Sequence, residues 1–261
     1  MKNKTLAALT VFFSATIFAQ TNLVENGSFE NLDKKVKSLG QIELATGWSS
    51  PTENKADLFV KGSKSEEVNA ENNVYGGQSP DDGKVFAGIT VYSYKKAKPR
   101  TYLQGKLSQP LEAGKSYCVK MFLTLGDLSK FGVNNIGIYL SKSPVSNKDL
   151  TTYAIEPQVH HSQNRIFKEP QIWESICQIY QAEGGEQYIT IGNFKKYEDT
   201  KFEKVKRPRG FTSPQKPIAY FFIDNVSVIS LDSISSSECV CEKQDLQRES
   251  KVVYHQDISV E

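Results

Sequence analysis

Short runs of alternating side chains constrain this chain more than any other feature. Across residues 84–94, Val85, Ala87, Ile89 and Val91 alternate with Phe86, Gly88, Thr90 and Tyr92. Ser116–Leu125 sends Tyr117, Val119, Met121, Leu123 and Leu125 to one side; Ile136, Ile138 and Leu140 repeat the pattern, and residues 188–194 follow it more weakly. An extended backbone places every second side chain on the same face, so a period of two reads as half-buried strand. Clusters of Gly, Pro, Asn and Ser part the runs, and Asp81-Asp82-Gly83 and Glu112-Ala113-Gly114 stand as turns just before two of them. Residues 147–152 have the composition for a single helical turn, and no internal repeat is visible. The pattern predicts an all-β chain, an antiparallel β-sandwich.

Ahead of the alternation stands a leader, residues 1–19. Lys2 and Lys4 give it a basic start, residues 6–18 form an apolar run too short to span a bilayer as a helix, and Ala19 supplies a small residue at the cleavage point. Cleavage there leaves Gln20 first, and no cysteine follows that would mark a lipoprotein. The expectation is export: to the periplasm, to the outer membrane or out of the cell. The leader holds two of the 32 basic residues and none of the 30 acidic ones, so the remainder is balanced in charge. A neutral mature chain argues against nucleic-acid and anionic-membrane partners, both of which reward excess positive charge. No second apolar run reaches transmembrane length. One sandwich of about 200 residues plus a tail suits the length.

The two ends of the body carry a resemblance. Residues 22–30, Asn-Leu-Val-Glu-Asn-Gly-Ser-Phe-Glu, form a short apolar strand broken at Asn26-Gly27; residues 220–228, Tyr-Phe-Phe-Ile-Asp-Asn-Val-Ser-Val, are strand-like with Asp224-Asn225 set inside. Between them lie residues 83–89, then 101–107, then Leu111-Glu-Ala-Gly-Lys-Ser-Tyr117, and finally 173–182 with 184–194. In this order the blocks resemble the galactose-binding-like jelly roll of bacterial carbohydrate-binding modules. They are similar, more closely, to the N-terminal domain of secreted proteins that continue into an OmpA-type peptidoglycan-binding domain. The chain departs from that architecture at Glu261, which leaves no room for the second domain. The resemblance implies one jelly-roll domain over residues 20–231.

It also implies a metal. In such modules the first and last strands lie together, and a carboxylate from each commonly holds a structural Ca²⁺ with main-chain carbonyls. Glu30 and Asp224 stand at the matching positions, and Ca²⁺ accepts six to eight hard oxygens of either origin. The alternative is that Glu30 caps a loop while Asp224 accepts hydrogen bonds from neighbouring backbone.

Catalysis has little to work with. Of three histidines, His160 and His161 are adjacent in a polar stretch and His255 lies in the tail; no nucleophile elbow, zinc-protease motif or phosphate loop is present. Among thirty acids a glycosidase pair is conceivable, yet no acid other than Glu30 and Asp224 has a distinctive setting. The chain reads as a binding module and not an enzyme. Trp48 and Trp173 fall where core aromatics are expected. A ligand site is better placed at Tyr92, Tyr94, Arg100 and Tyr102, which combine flat faces with a planar cation, with Asn193 (and Asn134, Asn135) adding amides. Against this stands the plainer reading of exposed strand tyrosines beside a solvated lysine run. Residues 195–210, with seven basic and three acidic residues, read as a mobile solvated insertion, with the gripping of an acidic polysaccharide as the alternative role. The glycosylation triplets at Asn26 and Asn225 are read as chance. Partners are then a glycan or envelope polysaccharide, or, on a second reading, envelope proteins assembled by a scaffold without a sugar site.

Cys118 and Cys177 lie in neighbouring predicted strands, either bridged, as an oxidising compartment permits, or buried as two thiols. Cys239 and Cys241, one residue apart, are too close to bond each other without strain and lack two further metal ligands nearby; they pair elsewhere or stay exposed. Residues 232–261 are polar and lack apolar periodicity, which reads as a disordered terminus or a linker, with residues 252–254 as a stray strand.

Overall fold

The computed structural model describes residues 21–146, 155–209 and 211–240. The leader, the turn expected at residues 147–152 and the stray strand at 252–254 lie outside the described residues. Among the described residues twelve strands run in chain order: β1 (Trp48–Ser49), β2 (Asp57–Val60), β3 (Val85–Ser93), β4 (Leu103–Lys106), β5 (Ser116–Leu125), β6 (Phe131–Val133), β7 (Ile136–Ser141), β8 (Val159–His160), β9 (Glu174–Gln181), β10 (Tyr188–Asn193), β11 (Phe202–Lys204) and β12 (Ile218–Ser230). Two five-stranded sheets, ordered β1-β4-β10-β7-β8 and β2-β3-β12-β5-β9, are antiparallel throughout; β11 and β6 form a separate ribbon. This is the expected all-β sandwich. Both expected turns precede their strands, with Gly83 and Gly114 at positive φ.

The alternation builds the core between the sheets. Val85, Ala87, Ile89 and Val91 of β3 and Val119, Met121, Leu123 and Leu125 of β5 face Leu103 of β4, Ile136, Ile138 and Leu140 of β7, and Ile189 and Ile191 of β10. On β12 the core-facing set starts as Ala219, Phe221 and Ile223 and continues as Val226 and Val228. The change of parity comes from a register shift between Asp224 and Ser227, where Asn225 sits at φ +49. Asn tolerates that left-handed conformation better than most residues, and a bulge re-aims side chains locally. The Asp-Asn pair noted in the sequence is therefore the bulge.

The two ends of the body meet as expected. Leu23 N–H donates to Val228 O (2.9 Å), Val226 N–H to Gly27 O (2.9 Å), and the Asn22 side chain brackets Val226 and Val228. A Cβ on Gly27 would lie 2.0 Å from Val226 O, so only glycine permits this approach.

Part of the outer face of the second sheet is covered. Phe59, Phe86, Phe122, Tyr220 and Phe222 form a second cluster with Trp173, covered by Ala70 and Tyr75 from the β2–β3 connection. The Tyr75 ring lies parallel to Tyr220 at 3.5 Å, and Tyr220 O–H donates to buried Asp57. Trp48 occupies the main core, and both tryptophans are buried.

Three expectations are corrected. Residues 195–209 are largely exposed, as expected, but are not a free loop: β11 pairs with β6, and Tyr197 packs on Arg100 beside the Phe194–Tyr102 pair. Cys118 bonds to Cys239 and not to Cys177; Cys177 is itself disulfide-bonded. On the antiparallel register Cys118 faces Ile179 and Lys120 faces Cys177, which leaves the two cysteines diagonal on the outward face, farther apart than a direct pair. The start of the tail is consequently held: Ser235 and Glu238 form a capping box, and Cys239 is buried against β5.

Candidate ligand and metal sites

The predicted binding residues divide between surface and interior. Arg100 and Tyr102 share one face of the segment entering β4, opposite to core-facing Leu103, and alternation alone would leave them in solvent. Residues 194–200 cover them instead. Arg100, Tyr102 and Asn193 are all 0% exposed. Arg100 Nη1 donates to the carbonyls of Asn193 (3.1 Å) and Lys195, Nη2 donates to Thr200 Oγ1 (2.9 Å), and the guanidinium lies 4.2 Å from the Tyr197 ring centre. Tyr102 O–H donates to Asn193 O (2.9 Å), and its ring fills the space over Gly192, where a Cβ would lie 2.2 Å from Tyr102 Cδ1. The Asn193 amide serves Asn134 O and the amide of Lys195. These three residues are an internal polar anchor, not a ligand platform.

Tyr92 is buried too, but as the floor of a surface that remains. Its ring stacks on Phe202 at 5.1 Å and meets Phe131 edge-on at 5.7 Å. Phe131 stacks beneath Tyr94 at 6.0 Å. Tyr94 and Phe202 are 45% and 44% exposed on this floor, the largest aromatic exposures among the described residues, and half-buried Tyr197 adjoins Tyr92. Lys95 Nζ lies 5.6 Å from the Tyr94 ring centre and Lys96 Nζ 5.3 Å from that of Tyr197. Lys95 and Lys96 stand consecutively at φ +53 and +55. Non-glycine residues held there cost about 1–3 kcal/mol each and collect at functional sites. Sequence reasoning found Tyr94 and missed Phe202, whose signal was one of two aromatics in a charged insertion.

Two open clefts lie elsewhere among the described residues. One, about 340 Å³, is lined by Glu71, Gly77, Gln78, Ser79 and Gln171; the other, about 320 Å³, by residues 50–53 with Lys55 and Ser146. Neither is lined by an aromatic face.

Glu30 and Asp224 flank one loop. Glu30 Oε1 accepts from the amides of Lys84 and Val85 (both 2.7 Å), and Asp224 Oδ2 from those of Asp81 (2.9 Å) and Asp82 (3.2 Å), while Oδ1 accepts from Asn225 N–H (2.7 Å). Burial pushes the Asp224 carboxyl up to about 8 against the pull of these amides. Among the described residues no three His, Cys, Asp or Glu side chains group closely enough to hold a metal, so an ion here would take most of its oxygens from the main chain. Of the two histidines among the described residues, the His161 ring accepts from Gln163 N–H and contacts Arg165, and His160 Nδ1 faces the His161 carbonyl. Among the described residues no helix is long and apolar enough to cross a membrane.

Neither a protein family nor a curated protein matches the sequence. Solved structures similar to the chain include a cyclase from Fischerella sp. (11% identity, 80% of this chain and 95% of that one, TM-score 0.44). The CBM22-1 xylan-binding domain of Paenibacillus barcinonensis Xyn10C also matches (11% identity, 81% and 97%, TM-score 0.41). So does the K1 cleaved adhesin domain of Lys-gingipain from Porphyromonas gingivalis W83 (11% identity, 80% and 97%, TM-score 0.40). Likeness at this level assigns no function.

Proposed function

We propose that this protein is an exported, non-catalytic glycan-binding module of the bacterial envelope. The observation that carries the reading is the pair of exposed aromatic faces, Tyr94 and Phe202, mounted on the buried rings of Tyr92 and Phe131. Sugar rings offer C–H faces to such platforms, and a platform that is already rigid loses little entropy on binding. The leader supports export. A glycan array probed with the mature domain tests the reading. Retention of at least one glycan is the expected result; retention of none would replace it with the envelope-scaffold reading, in which envelope proteins are the partners.

A structural Ca²⁺ belongs to the same proposal. Glu30 and Asp224 would hold it where the first and last strands meet, with Glu30 Oε2 outside the amide contacts of its partner oxygen. The ion would pin the loop at residues 81–85 and would keep Asp224 ionised despite its burial. Loss of thermal stability on chelation, absent in a Glu30→Ala/Asp224→Ala double variant, is the expected signature.

A further inference from the structure

We infer that the ligand of the aromatic tip is an anionic polysaccharide, one whose sugar rings carry carboxylates or sulfate esters. The inference rests on the proposed glycan-binding function and adds the ligand's charge and the site that reads it. Around Tyr94 and Phe202 the chain concentrates positive charge that the fold leaves unspent. Lys96 pairs with Glu198 (2.9 Å) and Glu203 turns away to Lys168 (2.8 Å), so the acids next in sequence to Tyr197 and Phe202 are already engaged. Lys95 and Lys204 are exposed and have no acidic partner among the described ion pairs.

Their placement is built rather than incidental. Phe202 and Lys204 are two residues apart on β11 and therefore point to the same side, while Glu203 between them points to the other. Lys204 pairs in register with Phe131, the ring beneath Tyr94. Lys95 is held in a left-handed turn that brings its ammonium over Tyr94. Each exposed ring thus has a cation beside it: Lys95 for Tyr94 and Lys204 for Phe202. A neutral glycan would use the rings and leave both ammonium groups idle. A linear chain with a charge on every sugar engages ring and cation together. The protein carries no net positive charge once its leader is removed, so this patch is local and not part of a general attraction to polyanions.

The test is affinity electrophoresis and calorimetric titration of the mature protein against polygalacturonate, sulfated dextran, unsubstituted dextran, xylan and duplex DNA. Expected are retention by polygalacturonate or sulfated dextran, weakening with added salt, and no retention by dextran or DNA. Tyr94→Ala and Phe202→Ala should each weaken binding about tenfold. Lys95→Gln and Lys204→Gln, which risk nothing in the core, should weaken it up to about fivefold each and flatten the salt dependence. Melting curves like that of the wild type certify that the aromatic variants are folded. Salt-insensitive binding of dextran or xylan, unchanged in the lysine variants, would overturn the inference and leave the glycan-binding reading standing. Equal retention by DNA, lost in the lysine variants but not the aromatic ones, would also overturn it, as non-selective charge attraction. Retention by no glycan would overturn both.

Discussion

Replacing Arg100 by alanine should destabilise the domain rather than disarm a surface. The side chain is wholly buried, holds the carbonyls of Asn193 and Lys195 and the hydroxyl of Thr200, and supports the Tyr197 ring. Asn193 O keeps the Tyr102 hydroxyl and Thr200 keeps the Lys196 carbonyl, so the carbonyl of Lys195 is the acceptor left short. An orphaned buried acceptor costs about 1–3 kcal/mol, and the lost packing under Tyr197 adds a cavity term of similar order. Against this, no carboxylate pairs with the guanidinium, so its removal returns part of a desolvation cost. A net loss of roughly 2–4 kcal/mol follows, or about 4–16 °C in Tm for a domain of this size. Arg100→Lys keeps the charge but cannot fork to three acceptors, and should fall between alanine and wild type. Differential scanning calorimetry of the three proteins decides the matter. A Tm for Arg100→Ala within about a degree of wild type would refute the internal-anchor assignment.

Other expectations are equally direct. Gly192→Ala drives a Cβ to 2.2 Å from Tyr102 Cδ1 and should cost about 1–3 kcal/mol in urea unfolding; an unchanged midpoint would mean that Tyr102 is not clamped across β10. Non-reducing peptide mapping should recover Cys118 joined to Cys239, and Cys118→Ser should lower stability by about 2–5 kcal/mol, because the bridge closes a separation of 121 residues; a Cys118–Cys177 peptide would contradict it. Asp224, raised by burial to about 8, binds a proton more tightly folded than unfolded, so its contribution is complete at low pH and lost as pH rises; Asp57, raised to about 6, adds to the lower part of that window. With chelator present Tm should therefore fall as pH rises from about 4 to 8, more steeply below pH 6 where both groups contribute, and saturating Ca²⁺ should remove the fall above pH 6, since the ion holds the Asp224 carboxylate ionised; coincident curves would end the calcium proposal.

Local pattern was sufficient for the strands and insufficient for what covers them. The alternation at β3 and β5 assigned Val85, Ile89, Val119 and Leu123 to the interior, because a period of two is a property of neighbouring residues. The same rule left Arg100 and Tyr102 facing outward, and they do face outward from the sheet. What buries them is a segment nearly a hundred residues later, and no periodicity encodes that return. Phe86 and Tyr220 show the same limit on the other sheet, where the β2–β3 connection lays Tyr75 over a face that alternation would leave wet. The disulfide was misassigned for a related reason: neighbouring strands suggested Cys118 and Cys177, whereas the bond reaches a polar tail whose composition carries no packing signal. Asp224-Asn225 was visible as an anomaly, and the structure gives its cause in the bulge that reverses parity on β12.

The buried anchor and the exposed tip are parts of one device. An aromatic platform binds well only if its rings are fixed before the ligand arrives, yet exposed rings have few contacts to fix them. Here the floor is supplied by Tyr92 and Phe131, and the side wall, Tyr197, is braced from beneath by Arg100, which also fastens the chain at Lys195 and Thr200 on its way to β11. The residues that sequence pattern marked for direct contact thus act one layer deeper, holding in place the strand that presents Phe202 and Lys204. On this account a cavity at Arg100 loosens the tip as well as the fold. A folded Arg100→Lys protein should then bind polygalacturonate more weakly through a larger entropic penalty, with the salt dependence of the wild type retained. Calorimetric titration at two ionic strengths separates that outcome from a direct ionic contact, for which the salt slope would fall.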